Sequence, residues 1–123
     1  MNLYASREDY LEAILVLYKK FGSVRSVDSA RHMGVSKPSV CHAVNVLCDG
    51  CFLTKDDKHF ISLTEEGRKV AEKIYERHKF FKEQLISVGV RPNIAETEAC
   101  RIEHCISDES FLKLKEYREK GKG

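Results

Sequence analysis

Three side chains near the C-terminal end of the sequence have the types and spacing of a metal site. In Glu98-Ala-Cys-Arg-Ile-Glu-His-Cys-Ile-Ser107, Cys100, Glu103 and His104 stand at i, i+3 and i+4, which puts them on one side of an α-helix. A thiolate, a carboxylate and an imidazole converging in this way suit a transition-metal ion. Ala95, Ala99, Ile102 and Ile106 form a separate stripe, centred roughly 120° around the same helix. One face can therefore pack while another ligates. Cys41, Cys48, Cys51 and Cys105 bring the cysteines to an odd total of five, with no secretory context to favour disulfides. Cys48 and Cys51 have the spacing of half a zinc site but no second pair. With Cys105 they read as buried small hydrophobes.

The rest of the chain must position these groups. At 123 residues it amounts to one compact domain or two small helical lobes. A 42% hydrophobic content is enough for a core and argues against disorder. No apolar run approaches the ~20 residues of a membrane span, and the N-terminus has no apolar signal segment, so a cytoplasmic protein with no membrane partner is expected. The formal net charge is only +2. Residues up to Leu63 carry 8 Lys/Arg against 7 Asp/Glu, so charge alone does not announce nucleic-acid binding.

Ser6 is a candidate cap for a first helix whose apolar stripe is Leu11, Ile14, Leu15 and Tyr18. Asp9 and Glu12 lie together on the side away from that stripe, where two acids ordinarily face solvent and favour the helix dipole. Ser26 can cap a second helix that ends at Gly34, and Ser36-Lys-Pro-Ser opens a third, with Val40, Val44 and Leu47 as its buried stripe. Two short helices joined by a Gly-containing turn form a helix-turn-helix pattern, although a buried αα-hairpin would look similar. In the first case Ser36, Lys37, Pro38, Ser39 and His42 lead the third helix toward the major groove, with Cys41 and Asn45 behind them. Phe52-Leu-Thr and Phe60-Ile-Ser-Leu then read as two strands around the polar turn Lys55–His59. A hairpin in this position makes the motif a winged helix-turn-helix, with Lys55, Lys58 and His59 on the wing facing phosphates or simply solvent.

Thr64-Glu-Glu-Gly caps a long helix running to about Ser87, with Val70, Ile74, Phe81 and Leu85 on one stripe. His78 falls on that stripe, where a lone histidine is more often a satisfied core residue than a ligand. Pro92-Asn93 starts the helix that carries Cys100. A last amphipathic helix follows Ser107-Asp108, with Phe111, Leu112 and Leu114, and the polar tail from Glu119 is expected to fray. The fold class is mainly α with a small β-hairpin. An N-terminal winged helix-turn-helix over 1–63 precedes a helical domain over 64–123, which the family resemblance described next implies is a metal-binding and dimerisation domain.

Taken together, Ser-Arg-Glu-Asp9-Tyr-Leu-Glu12, Ser36-Lys-Pro-Ser-Val-Cys-His, the wing, Arg77-His78-Lys and Glu98 to Glu109 resemble the diphtheria toxin repressor family. These are metal-dependent bacterial transcriptional repressors, and the group includes the manganese transport regulators. The resemblance covers nearly the whole chain, and Glu98 to Glu109 is its most specific part. It implies that Asp9, Glu12, His78, Cys100, Glu103 and His104 are metal ligands. Cys100 matches the cysteine of the iron-type members, where manganese-type members carry a glutamate. Phe80-Phe-Lys82-Glu83 stands where the family can add a further carboxylate ligand.

The implied function is repression by a homodimer that binds double-stranded operator DNA when loaded with a divalent transition metal. Fe(II) or Mn(II) is the expected ion in the cell, and Zn(II) and Co(II) are also compatible. No small-molecule substrate is expected. The alternatives are a metal-independent winged-helix regulator with a structural Cys/Glu/His cluster, or a zinc or thiol enzyme. The sequence has no His-Glu-x-x-His, no Cys-His-Asn ordering and no phosphate-binding glycine loop, so it is not read as an enzyme.

Overall fold

The structure, a computed structural model, describes residues 3–122 and the side chains of residues 7–121. These residues form six helices and a three-stranded antiparallel sheet. The chain divides into two compact units, the first ending at Ile74 and the second starting at Tyr75. No described helix is long and apolar enough to cross a membrane.

In the first unit, α1 (Leu3–Phe21) buries Leu11, Ile14, Leu15 and Leu17. Tyr18, predicted on this stripe, is 50% exposed, because Leu17 one position earlier closes the buried face. The helix begins at Leu3, so Ser6 lies inside it rather than at its cap; the Ser6 side chain is outside the described residues. Asp9 and Glu12 are half-buried on α1.

β1 (Val24–Arg25) pairs with β3 (Phe60–Leu63), which also pairs with β2 (Leu53–Lys55), giving the order β1-β3-β2. The hairpin strands are those expected from the sequence, with β2 shifted by one residue. β1 is too short to show a periodicity, and the register Val24↔Ile61 explains it, since both side chains are buried. The hairpin turn is held by Asp56, whose Oδ1 accepts the N–H groups of Lys58 at 2.9 Å and Phe60 at 3.0 Å. Lys55, Lys58 and His59 around it are exposed.

α2 (Ser26–Met33) is preceded by Arg25 at the cap position, where the predicted cap was Ser26. β1 fixes Arg25 in extended backbone, and Asp28 Oδ2 accepts its N–H at 2.9 Å, taking over the capping task. α2 ends on Gly34 in the left-handed region, φ 69°, where glycine carries no Cβ penalty. α3 (Lys37–Asp49) starts as its sequence predicts. Ser36 Oγ accepts the Ser39 N–H at 3.3 Å, Pro38 sits in the first turn, and Val40, Val44 and Leu47 are buried. Ser36, Lys37, Pro38, Ser39, Cys41, His42 and Asn45 are all exposed.

α4 (Glu65–Ser87) opens on a close contact within the first unit. Thr64 donates its hydroxyl to Cys51 O at 2.7 Å and accepts the Gly67 N–H at 3.1 Å. A Cβ on Gly67 would stand 2.0 Å from the Phe52 carbonyl oxygen, and neither backbone can yield. Gly67→Ala is therefore expected to destabilise the chain by about 1–3 kcal/mol, the usual cost of overpacking. Urea unfolding measures this, and a variant as stable as the parent would contradict the contact.

The buried line of α4 is Ala71, Ile74, Arg77 and Phe80. Val70, Phe81 and Leu85, predicted as its core stripe, are only half-buried. The face is rotated because Arg77 turns inward. In the second unit α5 (Pro92–Ile102) and α6 (Asp108–Lys122) join the latter part of α4. Phe80 meets Phe81 and Phe111 edge-on, with centroids 5.2 and 5.3 Å apart, and the Arg118 guanidinium lies 4.3 Å over the Phe80 ring. Ala95 and Ala99 are fully buried on α5. On α6 Phe111 is buried while Leu112 and Leu114 are exposed, and the helix continues through the predicted frayed tail to Lys122. Cys51 and Cys105 are exposed and Cys48 is half-buried, which corrects their reading as buried hydrophobes; burial pushes the Cys48 thiol up.

Candidate metal centre

Cys100 is the last ligand candidate inside α5, which ends at Ile102. The sequence pattern predicts a continuous helix through Glu103 and His104. Instead Glu103 is the C-cap, its N–H reaching Ala99 O at 3.0 Å, and the chain then turns, with Cys105 N–H on Ile102 O at 2.9 Å. Buried Arg77 causes this ending. Its guanidinium donates to Glu103 O at 3.3 Å and to Ile106 O at 2.7 Å, and it pairs with the Asp108 carboxylate. Carbonyls that a helix would use internally are thus taken by a side chain from α4.

This turn delivers Glu103 to His78. Glu103 Oε2 lies 2.9 Å from His78 Nδ1, and Cys100 Sγ lies 3.7 Å from the same nitrogen. The Cys100 sulfur, a His78 ring nitrogen and a Glu103 carboxylate oxygen all lie within 4.8 Å of one another. The Glu103 side chain is 0% exposed. Its Oε1 has no hydrogen-bond partner among the described residues, although His104 Nε2 stands 3.4 Å away. An ionised carboxylate is costly to bury with an unsatisfied oxygen, and a divalent cation would satisfy it. The donors present, sulfur, nitrogen and oxygen, are a set that transition metals accept. The residues fit such an ion.

Asp9 and Glu12 belong to the first unit and are on α1, while His78, Cys100, Glu103 and His104 belong to the second. His78 reads in the sequence as a core histidine. Here its side chain retains 12% exposure, and both ring nitrogens have carboxylate partners. Not among the candidates from the sequence is Glu96, the partner on Nε2, whose Oε1 is 2.9 Å away. Lys82 Nζ in turn holds Glu96 Oε2 at 2.8 Å. Burial pushes the Glu96 carboxyl up, but its hydrogen bonds to Lys82 and His78 outweigh that and hold it below the usual range. Helical spacing alone could have found both residues, since Lys82 is one turn beyond His78 and Glu96 one turn before Cys100.

The His78 pKa is pushed up from 6.5 to about 11, mainly by its hydrogen bonds to Cys100 and Glu103, with Glu96 adding and burial opposing. A folded-state value above the unfolded one gives stability that is complete below about pH 6.5 and lost as the pH rises toward 11. The melting temperature of the metal-free protein is accordingly expected to fall as pH rises through this window, and His78→Gln should flatten that slope. Metal affinity should move the other way, because an ion must displace this proton. Thermal unfolding at several pH values, with and without Co(II), measures both effects. A slope unchanged in His78→Gln would refute the assignment.

A model of the "Iron dependent repressor, metal binding and dimerisation domain" matches residues 64–122. The transcriptional regulator MntR of Escherichia coli O157:H7 is 33% identical over 113 residues, spanning 92% of this chain and 73% of that protein. The chain belongs to the diphtheria toxin repressor and manganese transport regulator family. A second relative, an uncharacterized HTH-type transcriptional regulator of Methanocaldococcus jannaschii, is 32% identical over 119 residues, 95% of each chain. Among solved structures of the family, the manganese regulator SloR superposes with a TM-score of 0.81 at 26% identity, over 92% of this chain. This chain spans 53% of the length of SloR. The family consists of transcriptional regulators, not enzymes, which removes the zinc or thiol enzyme alternative.

Proposed function

We propose that this chain is a metal-dependent transcriptional repressor that binds operator DNA as a homodimer in the cytoplasm. Residues 1–63 serve as a winged helix-turn-helix and 64–123 as the metal-binding and dimerisation domain. The observation that carries the reading is the convergence of Cys100, His78 and fully buried Glu103, with one carboxylate oxygen left unsatisfied. The family resemblance further implies Asp9, Glu12 and His104 as metal ligands.

When bound, a divalent cation supplies positive charge where Glu103 has none to spare. Cys100 contributes a soft ligand and thus favours Fe(II), Zn(II) or Co(II) over Mn(II); the likeness to the manganese regulator SloR keeps Mn(II) among the candidates. The Arg77-braced turn holds Glu103 in place before any ligand arrives. On the DNA side, Ser36, Lys37, Pro38, Ser39 and His42 present an exposed start of α3 to base edges and phosphates, and Lys58 extends from the hairpin turn to the backbone. Two such helices in a dimer would read half-sites about 34 Å apart. Metal and DNA must each raise the affinity for the other by the same factor.

The test is selection of duplexes from a random-sequence pool with Co(II) present. Binding to the selected DNA should be abolished by a chelator and by Cys100→Ala or Glu103→Ala. Binding that ignores the chelator would refute metal control, and a pool that yields no duplex with any metal would refute DNA recognition.

A further inference from the structure

His78 is gripped from both sides. Its Nδ1 faces Glu103 and Cys100, while its Nε2 is held by Glu96 Oε1 at 2.9 Å. The second oxygen of Glu96 is 2.8 Å from the Lys82 ammonium. His78 and Lys82 are four residues apart on α4, and Glu96 and Cys100 four apart on α5. The Lys82–Glu96 ion pair is thus a second rung between the two helices, one turn from the rung formed by His78 and Cys100.

Two consequences follow from the chemistry of an imidazole. A carboxylate on Nε2 favours the proton there, which leaves Nδ1 as the lone-pair nitrogen once its own proton departs. The Nε2 side is also guarded. A cation placed there would find only His78 and Glu96, since no third His, Cys, Asp or Glu joins them in a metal-sized group among the described residues. It would also meet an ammonium already fixed on the same carboxylate, and like charges at this range repel strongly.

We infer that Glu96 and Lys82 are positioning residues that fix His78 as an Nδ1 ligand, and that the Lys82 ammonium closes the Nε2 side to a second ion. The inference rests on the reading of His78, Cys100 and Glu103 as a metal centre. It concerns neither operator binding nor dimerisation, so it can be tested on metal uptake alone.

The experiment is Co(II) titration of the full chain, following the thiolate-to-cobalt charge-transfer band and the d–d bands, with bound cobalt counted by equilibrium dialysis. Glu96→Ala should weaken Co(II) binding by about 10- to 100-fold, as loss of an outer-layer partner does, and should move the d–d bands. Lys82→Arg keeps the charge and should match the parent in affinity and spectrum. Lys82→Glu replaces the ammonium with a carboxylate and should take up one more Co(II) per chain than the parent. Both side chains are substantially exposed, 39% for Lys82 and 48% for Glu96, so these variants should fold. Imidazole nitrogen NMR of the Zn(II)-loaded protein should report Nδ1 as the bound nitrogen.

Parental affinity and spectrum in Glu96→Ala, an unchanged cobalt count in Lys82→Glu, or an Nε2 ligand in the NMR spectrum would each overturn the inference while leaving the metal centre standing. A parent chain with no Cys100-dependent charge-transfer band would overturn both.

Discussion

Glu103→Gln is expected to remove the stabilisation that metal gives this protein. At a free Co(II) concentration about 100 times the dissociation constant, the parent should gain about 2.7 kcal/mol against unfolding, and the variant almost none. Glu103 is the only fully buried carboxylate among the described residues. One oxygen is engaged by His78 at 2.9 Å and the other has no hydrogen-bond partner among the described residues. The amide of glutamine has the same shape but lacks the charge, and it presents one acceptor instead of two. Thermal unfolding with and without Co(II) decides the matter. An equal melting shift in parent and variant would show that the cation is held elsewhere.

Arg77→Ala should have the largest effect on the metal-free fold, a loss of roughly 1–3 kcal/mol for each of the two carbonyls left without a donor. Its side chain is only 5% exposed, and it holds two backbone carbonyls, Glu103 O and Ile106 O, besides the Asp108 carboxylate. The guanidinium also lies 5.3 Å from the Phe111 ring centroid. Without it the carbonyls of the turn after α5 lose their donors, and Glu103 loses its fixed approach to His78. Metal affinity should therefore fall together with stability. Arg77→Lys should recover only a fraction, because a single ammonium cannot replace a planar fork that serves several acceptors. Denaturant unfolding of the three proteins tests this, and full recovery by lysine would mean that charge, not fork geometry, holds the turn.

Much of this was legible in the sequence where signals are local. The Ser36 cap, Pro38 and the Val40, Val44, Leu47 stripe specify α3 within a few residues, and the structure reproduces them. Cys100 and Glu103 were legible for the same reason, three positions apart near a helix end. What was not legible depends on contacts between distant segments. Val24 and Arg25 become a strand only because β3 lies beside them. α5 stops before Glu103 because Arg77, 26 residues earlier, takes the carbonyl. The periodicity of α4 misleads for a related reason: Arg77 occupies a core position, and counting it as polar rotates the inferred face toward Val70, Phe81 and Leu85. Glu96 does not stand out in the sequence because an acid on an exposed helix face is ordinary until its partners are known.

The unsatisfied oxygen of Glu103 bears on how long the protein lasts. Degradation that captures briefly opened molecules tracks the open population when opening and closing are fast. Metal at about 100 times its dissociation constant should lower that population about 100-fold. Metal-starved chains would then be the ones preferentially removed by proteases. The amount of regulator in a cell would rise with the ion it senses, without any change in the rate of its synthesis.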